Sequence, residues 1–228
     1  MKNQAKRSIY NFYYQKIVGA KTFMGASFLN YKQREADCIV EYIERQGNSG
    51  QIVDIGCSTG YFSRRLADRF GSDTVQGADI SQKSIRKCRE RHPDIQFHHI
   101  GNGFYEDNFG RFEYVLLAHV LEHVDDPLAL LEKVKRLMTE QGSLIVSVPQ
   151  ERIRGDSAFP ENLYNLIRLK FENVHRVNYC ADKLSTVLGE AGLQITDHRY
   201  INAFRSKMNE RHFSNHSLVA HSEAIPQA

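Results

Sequence analysis

No apolar run in the 228 residues approaches the ~20 residues a membrane-spanning helix needs, so no span is expected. Cysteine is scarce and scattered: Cys38, Cys57, Cys88 and Cys180 form no C-x-x-C pair. That excludes a zinc knuckle and a disulfide framework, and makes a reducing cytoplasm the expected compartment. Strong net charge is missing too; the formal value is +3. The N-terminus is basic but has no long apolar core, so it does not read as a secretory signal. Internal repeats, low-complexity tracts and linkers are absent, which points to one domain over residues 1–228. One absence is local. Between Met1 and Lys32 there is no acidic residue, while six basic residues alternate with aromatics such as Tyr13, Tyr14 and Phe23. An amphipathic leading helix accounts for this mixture, and so would a surface for an anionic or aromatic ligand.

What is present is an alternation of strands and helices. Cys38, Ile39, Tyr42 and Ile43 recur at helical spacing, predicting a helix over Phe28 to Arg45 that Gly47-Asn48-Ser49-Gly50 ends. Short apolar runs predict strands at Ile52–Ile55, Thr74–Ile80, Ile95–Ile100, Phe112–Leu117 and Ser143–Val148. Helices are expected at Tyr61–Phe70, from Ser81 as cap to about Arg91, and at Pro127–Met138, before a Gln141-Gly142 turn. Residues 151–178 break the rhythm as an insertion. Asp182–Ala191 then reads as a helix closed by Gly192, and Leu193–Ile201 and His216–Ala224 as late strands. Such alternation argues for an α/β fold with a mostly parallel, Rossmann-like sheet flanked by helices.

The chemistry-bearing loop is IVDIGCSTG at 52–60, and three readings fit it. By letters, Gly56-Cys57-Ser58-Thr59-Gly60 is the G-x-S-x-G elbow of a serine hydrolase. An elbow follows several strands, however, and only helical sequence precedes this one. A dinucleotide loop would need glycine at 56, 58 and 61; the chain has Gly56, Ser58 and Tyr61. The third reading is a loop for a cofactor without a pyrophosphate, partnered by an acid at the end of the next strand that grips ribose hydroxyls. Asp79, in VQGAD, stands at that place.

With that acid, the chain resembles the class I S-adenosylmethionine-dependent methyltransferases, of the small-molecule and ubiquinone-pathway O-methyltransferase type. The matching segments run in order: VDIGCSTGYFS at 53–63, GADIS at 77–81, FEYVLLAHVLEHVDDP at 112–127, GSLIVSVP at 142–149 and VHRVNYCADKLSTVLGEAGL at 174–193. The resemblance implies a seven-stranded sheet whose last strand is antiparallel. It implies an N-terminal helical cap (1–50), a cofactor core (51–149), a substrate lid (150–178) and a C-terminal helix with strands (179–228). It places Asp54, Gly56, Cys57, Ser58 and Gly60 along the methionine half of S-adenosylmethionine, and Asp79 on the ribose. Ile80 would lie against the adenine, with Asn102 and Gly103 near its amino group. Ala118 and His119 would face the sulfonium methyl. Ser58 departs from the usual middle glycine.

Methyl transfer is an in-line displacement, so alignment supplies much of the rate. A hydroxyl acceptor must also lose a proton, which suits a histidine base. The candidates are His119, then His123 and His175. His119-Val-Leu-Glu122-His123 also resembles the metal-binding E-x-x-E-H of ubiquinone-pathway and small-RNA methyltransferases, with His119 for the first Glu; the reading adopted assigns no metal. The expected acceptor is a small molecule methylated at oxygen. The alternatives are an RNA methyltransferase using the basic N-terminal face, and a non-enzymatic S-adenosylmethionine-binding module.

Overall fold

The computed structural model describes residues 26–47, 50–101, 103–150, 179–202 and 215–225. Residues 1–25, the insertion 151–178 with His175, and Asn102 lie outside the described residues. The elements are α1 (Ala26–Arg45), β1 (Ile52–Ile55), α2 (Tyr61–Phe70), β2 (Val75–Asp79), α3 (Gln82–Arg91), β3 (Gln96–His99), α4 (Phe104–Asp107) and β4 (Phe112–Ala118). A 3₁₀ turn (Leu121–His123) follows, then α5 (Pro127–Lys135), β5 (Met138–Pro149), α6 (Ala181–Glu190), β6 (Leu193–Asn202) and β7 (Asn215–Ala224).

Seven strands form one sheet in the order β3-β2-β1-β4-β5-β7-β6. β1 to β5 pair in parallel, and β7 runs antiparallel to both its neighbours. After β1 the chain builds outward on one side through β2 and β3, then returns to the other side at β4. The strand order therefore reverses between β1 and β4, and the crevice beyond their carboxyl ends is where such folds bind ligands.

Every residue of β1 and β2 is buried, as expected of strands covered on both faces. Alternation sorts them into two cores. Val53, Ile55, Val115, Leu117, Leu144 and Val146 pack with Leu131 and Val134 of α5 and Leu184 and Leu188 of α6. Ile52, Leu116 and Ile145 face the other way, onto Ile39 and Ile43 of α1, Leu66 of α2 and Ile85 of α3. Thus α1 lies on the same side of the sheet as α2 and α3, which follow β1 and β2.

Local signals hold where one residue dictates the geometry. Ser81 caps α3 by accepting a hydrogen bond from Ser84 N at 3.3 Å, and Asp126 caps α5 through Ala129 N at 3.0 Å, with Pro127 in its first turn. The expected helix over Pro127–Met138 ends earlier, at Lys135, because Met138 already pairs with Phe112 and opens β5. The register then jumps to Tyr114–Ser143, so Gln141-Gly142 belongs to a bulge within the strand and not to a turn before it. The short α4 and the 3₁₀ turn are structural findings without a sequence forecast.

Candidate functional site

The loop after β1 is a chain of left-handed residues: Gly56 (φ 79°), Ser58 (φ 49°) and Gly60 (φ 75°). Gly56 N and Cys57 N both donate to Ala78 O, at 2.7 and 3.0 Å, which folds the loop back over β2. A Cβ on Gly56 would lie 2.4 Å from Val120 Cγ2, so only glycine lets the loop close on the turn beyond β4. Ser58 occupies the backbone region that the missing middle glycine would fill with ease. Its N–H donates to Asp79 Oδ2 at 2.9 Å, and its carbonyl accepts from Cys88 Sγ at 3.3 Å. Among the described residues no hydrogen bond joins its hydroxyl to a histidine. Ser58→Gly should therefore relieve strain and raise stability by about 1 kcal/mol. Thermal denaturation of the two proteins checks this; a lower melting temperature for the glycine variant would show that the serine side chain stabilises the loop.

Asp79 ends β2 and is 8% exposed. Besides Ser58 N, it accepts from Ser81 N through Oδ1 at 2.7 Å. Each carboxylate oxygen thus has one backbone donor and keeps acceptor capacity for a hydroxyl. Ile80 follows with its apolar side chain 70% exposed, a flat surface at the strand end. Gly103 (φ 90°) begins α4 on the far side of β3. Asp54, inside β1, has a structural job beside the cofactor role that the resemblance implies. Its Oδ2 accepts from Ser63 N at 3.1 Å and Ser63 Oγ at 2.7 Å. It caps α2 from outside, because Gly60 has no side chain to do so. Burial pushes its carboxyl up to about 6, against the two Ser63 hydrogen bonds. The Cys57 side chain turns into the core; its hydrogen bond with Cys88, and then burial, push its thiol up, while the same bond pulls Cys88 down.

At the end of β4, Ala118 pairs with Ser147, and His119 (φ 56°) donates its backbone N–H to Ser147 O at 2.9 Å. The imidazole stacks on Phe62 of α2, centroids 6.5 Å apart, and retains 22% exposure. Its Nε2 lies 2.8 Å from Glu35 Oε1, and its Nδ1 is 3.6 Å from Glu122 Oε1, an ion-pair distance too long for a hydrogen bond. Burial pushes the ring down, but Glu35 and Glu122 outweigh it and hold His119 well above its ordinary value. Burial likewise pushes Glu35 up, and the His119 charge reverses the sign, leaving the carboxyl lowered. The two carboxylates thus favour the protonated form of the ring. His123, with Nε2 3.8 Å from Glu122 Oε1, is more open than His119. Among the described residues no group of three or more His, Cys, Asp or Glu is arranged to hold a metal ion.

Glu35, Ser63, Phe62 and Ser147 were not singled out from sequence. For Glu35 a signal existed: Tyr31, Glu35, Cys38 and Tyr42 fall on one helical stripe, and the acid interrupts an otherwise apolar face.

A family profile described as a methyltransferase domain matches residues 28–198. The chain belongs to the methyltransferase-domain family. Within it, the chain is 31% identical over 104 residues to a ubiquinone biosynthesis O-methyltransferase of Paracidovorax citrulli, covering 42% of each protein. It is 33% identical over 70 residues to a dTDP-3-amino-3,6-dideoxy-alpha-D-glucopyranose N,N-dimethyltransferase of Streptomyces fradiae, covering 31% of this chain and 27% of that one. The chain therefore spans less than half the length of either relative. Among solved structures, magnesium protoporphyrin IX methyltransferase from Synechocystis PCC 6803 with bound SAH superposes with a TM-score of 0.65 at 16% identity, over 96% of this chain and 99% of the other. At that identity the likeness is one of fold.

The residues at the carboxyl ends of β1 and β2 fit S-adenosylmethionine, the cofactor that the resemblance implies. Asp79 would offer two acceptors to a ribose diol and exposed Ile80 an apolar face to the adenine, beside the loop that Gly56 closes against Val120. No helix among the described residues is long and apolar enough to cross a membrane.

Proposed function

We propose that the chain transfers a methyl group from S-adenosylmethionine to an oxygen of a small-molecule acceptor. The observation that carries this reading is Asp79, held at the end of β2 by Ser58 N and Ser81 N with acceptor capacity to spare, beside an exposed Ile80. When bound, the cofactor supplies an electrophilic methyl on a sulfonium. The chain's part is alignment: the left-handed loop would line the methionine half, Asp79 would hold the ribose, and the end of β4 would set the line of approach. The acceptor oxygen would bond the methyl carbon with its own electron pair, the carbon–sulfur pair would stay on the leaving sulfur, and the acceptor hydroxyl would give up its proton. His123 is the described residue best placed to receive that proton, with His175 of the insertion as the other candidate. Oxygen is favoured by the kinship with an O-methyltransferase, although the N,N-dimethyltransferase shows that similar sequences also serve nitrogen. The N-terminal segment and the insertion would then form the acceptor's cap and lid. Four free cysteines suit a reducing cytoplasm.

Two measurements test this. Calorimetric titration should show saturable binding of S-adenosylmethionine and S-adenosylhomocysteine; binding of neither would overturn the reading. Incubation with methyl-labelled cofactor and panels of phenols, carboxylic acids and amines should place label on oxygen. Label on amines alone would overturn the choice of oxygen and leave methyl transfer standing.

A further inference from the structure

The buried face of α1 carries one charged residue into the interior of the site. Glu35 is 0% exposed and flanked on its stripe by Tyr31, Cys38, Ile39 and Tyr42. Placing a carboxylate there is costly unless a partner compensates it. Its Oε1 accepts from His119 and from the Ser147 hydroxyl, while no donor among the described residues reaches Oε2. On the opposite side of the ring, Glu122 is 1% exposed, and neither of its oxygens has a hydrogen-bond donor among the described residues. Two buried acids therefore flank one imidazole ring and favour its protonated form. Side-chain bonds hold α1 in place: Arg34 Nη1 donates to Asn202 O at 3.1 Å, and Arg199 Nη1 pairs with Glu41 Oε2 at 3.4 Å. All of this lies one residue beyond Ala118, against the turn whose Val120 meets Gly56.

We propose that Glu35 is a positioning residue of the transfer site: delivered by α1, its carboxylate fixes the His119 ring at the end of β4 and adds negative charge beneath the cofactor's sulfonium. This rests on the reading of the site as an S-adenosylmethionine pocket. The consequence is selectivity between donor and product. S-adenosylmethionine carries a positive sulfur, whereas S-adenosylhomocysteine has a neutral thioether and is otherwise nearly the same shape. A fixed negative charge in a water-poor wall favours the first over the second, and so opposes product inhibition.

The test is the ratio of the two affinities, measured by calorimetry on wild type and Glu35→Gln. About pH 6 is the suitable condition, since acid favours the imidazolium that Glu122 still faces in the variant, so that the substitution removes one negative charge. Glu35→Gln is expected to weaken S-adenosylmethionine roughly tenfold while changing S-adenosylhomocysteine less than about twofold. A merely structural role would weaken both alike, so an unchanged ratio overturns the proposal. Should Glu35→Gln fail to fold, Glu122→Gln removes the same charge from the other side of the ring, and its ratio decides on the same terms. If wild type binds neither molecule, the methyltransferase reading itself has failed; if both bind and the ratio holds, only the role of Glu35 has.

Discussion

Asp79→Ala is expected to reduce S-adenosylmethionine and S-adenosylhomocysteine binding by at least about 100-fold, from two lost hydrogen bonds to a charged acceptor at about 1.5–3 kcal/mol each. The loss should be equal for the two ligands, because in the proposed site Asp79 would meet the ribose they share. A second effect adds to the first. Asp79 holds Ser58 N and Ser81 N, so its removal also frees the middle of the glycine loop and the entry to α3. Asp79→Asn separates the two contributions: its one carbonyl oxygen can still accept a backbone donor, but the charge and half the acceptor capacity are gone. Calorimetry should therefore rank wild type above Asp79→Asn above Asp79→Ala. Binding by the alanine variant within threefold of wild type would remove Asp79 from the cofactor site. Circular dichroism and thermal denaturation should meanwhile show a folded protein, since both cores lie behind the carboxyl ends of the strands.

That prediction could be drawn from sequence, because the ribose acid depends on local features: a buried strand, an acid at its end and a serine cap after it. β1, α2 and α3 come out with the bounds the residues suggest, for the same reason. Tertiary pairing is less legible. Nothing in LMTEQGS announces that Met138 opens a strand, because what decides it is Phe112 across the sheet. His119 shows the limit for chemistry. Its position past β4 marks it as a site residue, and general reasoning then makes a histidine there a base. Its actual character depends on Glu35, 84 positions earlier on another element, and on Glu122 beneath it. The sign of a protonation equilibrium is set by neighbours in space, and a single sequence does not supply them. Ser58 is an intermediate case: the spacing identifies a glycine's place, and only the backbone angle shows that serine fills it with φ at 49°.

Asp54 leads to an expectation of opposite sign for stability and for binding. Its carboxyl titrates at about 6 in the folded chain against an ordinary 3.8, raised by burial. Between those values the folded state binds more protons than the unfolded one, so stability falls as pH rises through the window and stays reduced above it. At pH 7 the ionised group costs the fold about 3 kcal/mol. Asn at this position keeps an oxygen to accept from Ser63 N and Oγ but carries no charge. Asp54→Asn without ligand should thus melt several degrees above wild type at pH 7, with the advantage shrinking to nothing near pH 4. A melting difference independent of pH would show that ionisation of Asp54 is not the cause. A buried carboxylate that weakens its own fold is retained where ionisation serves a ligand, and the methionine half carries a cationic ammonium. The same substitution is therefore expected to weaken S-adenosylmethionine by roughly tenfold or more, as befits a lost hydrogen bond to a charged group. With saturating cofactor the order should invert at neutral pH, because binding stabilises wild type more than the variant. An Asp54→Asn protein that is both more stable and equally tight would confine Asp54 to capping α2.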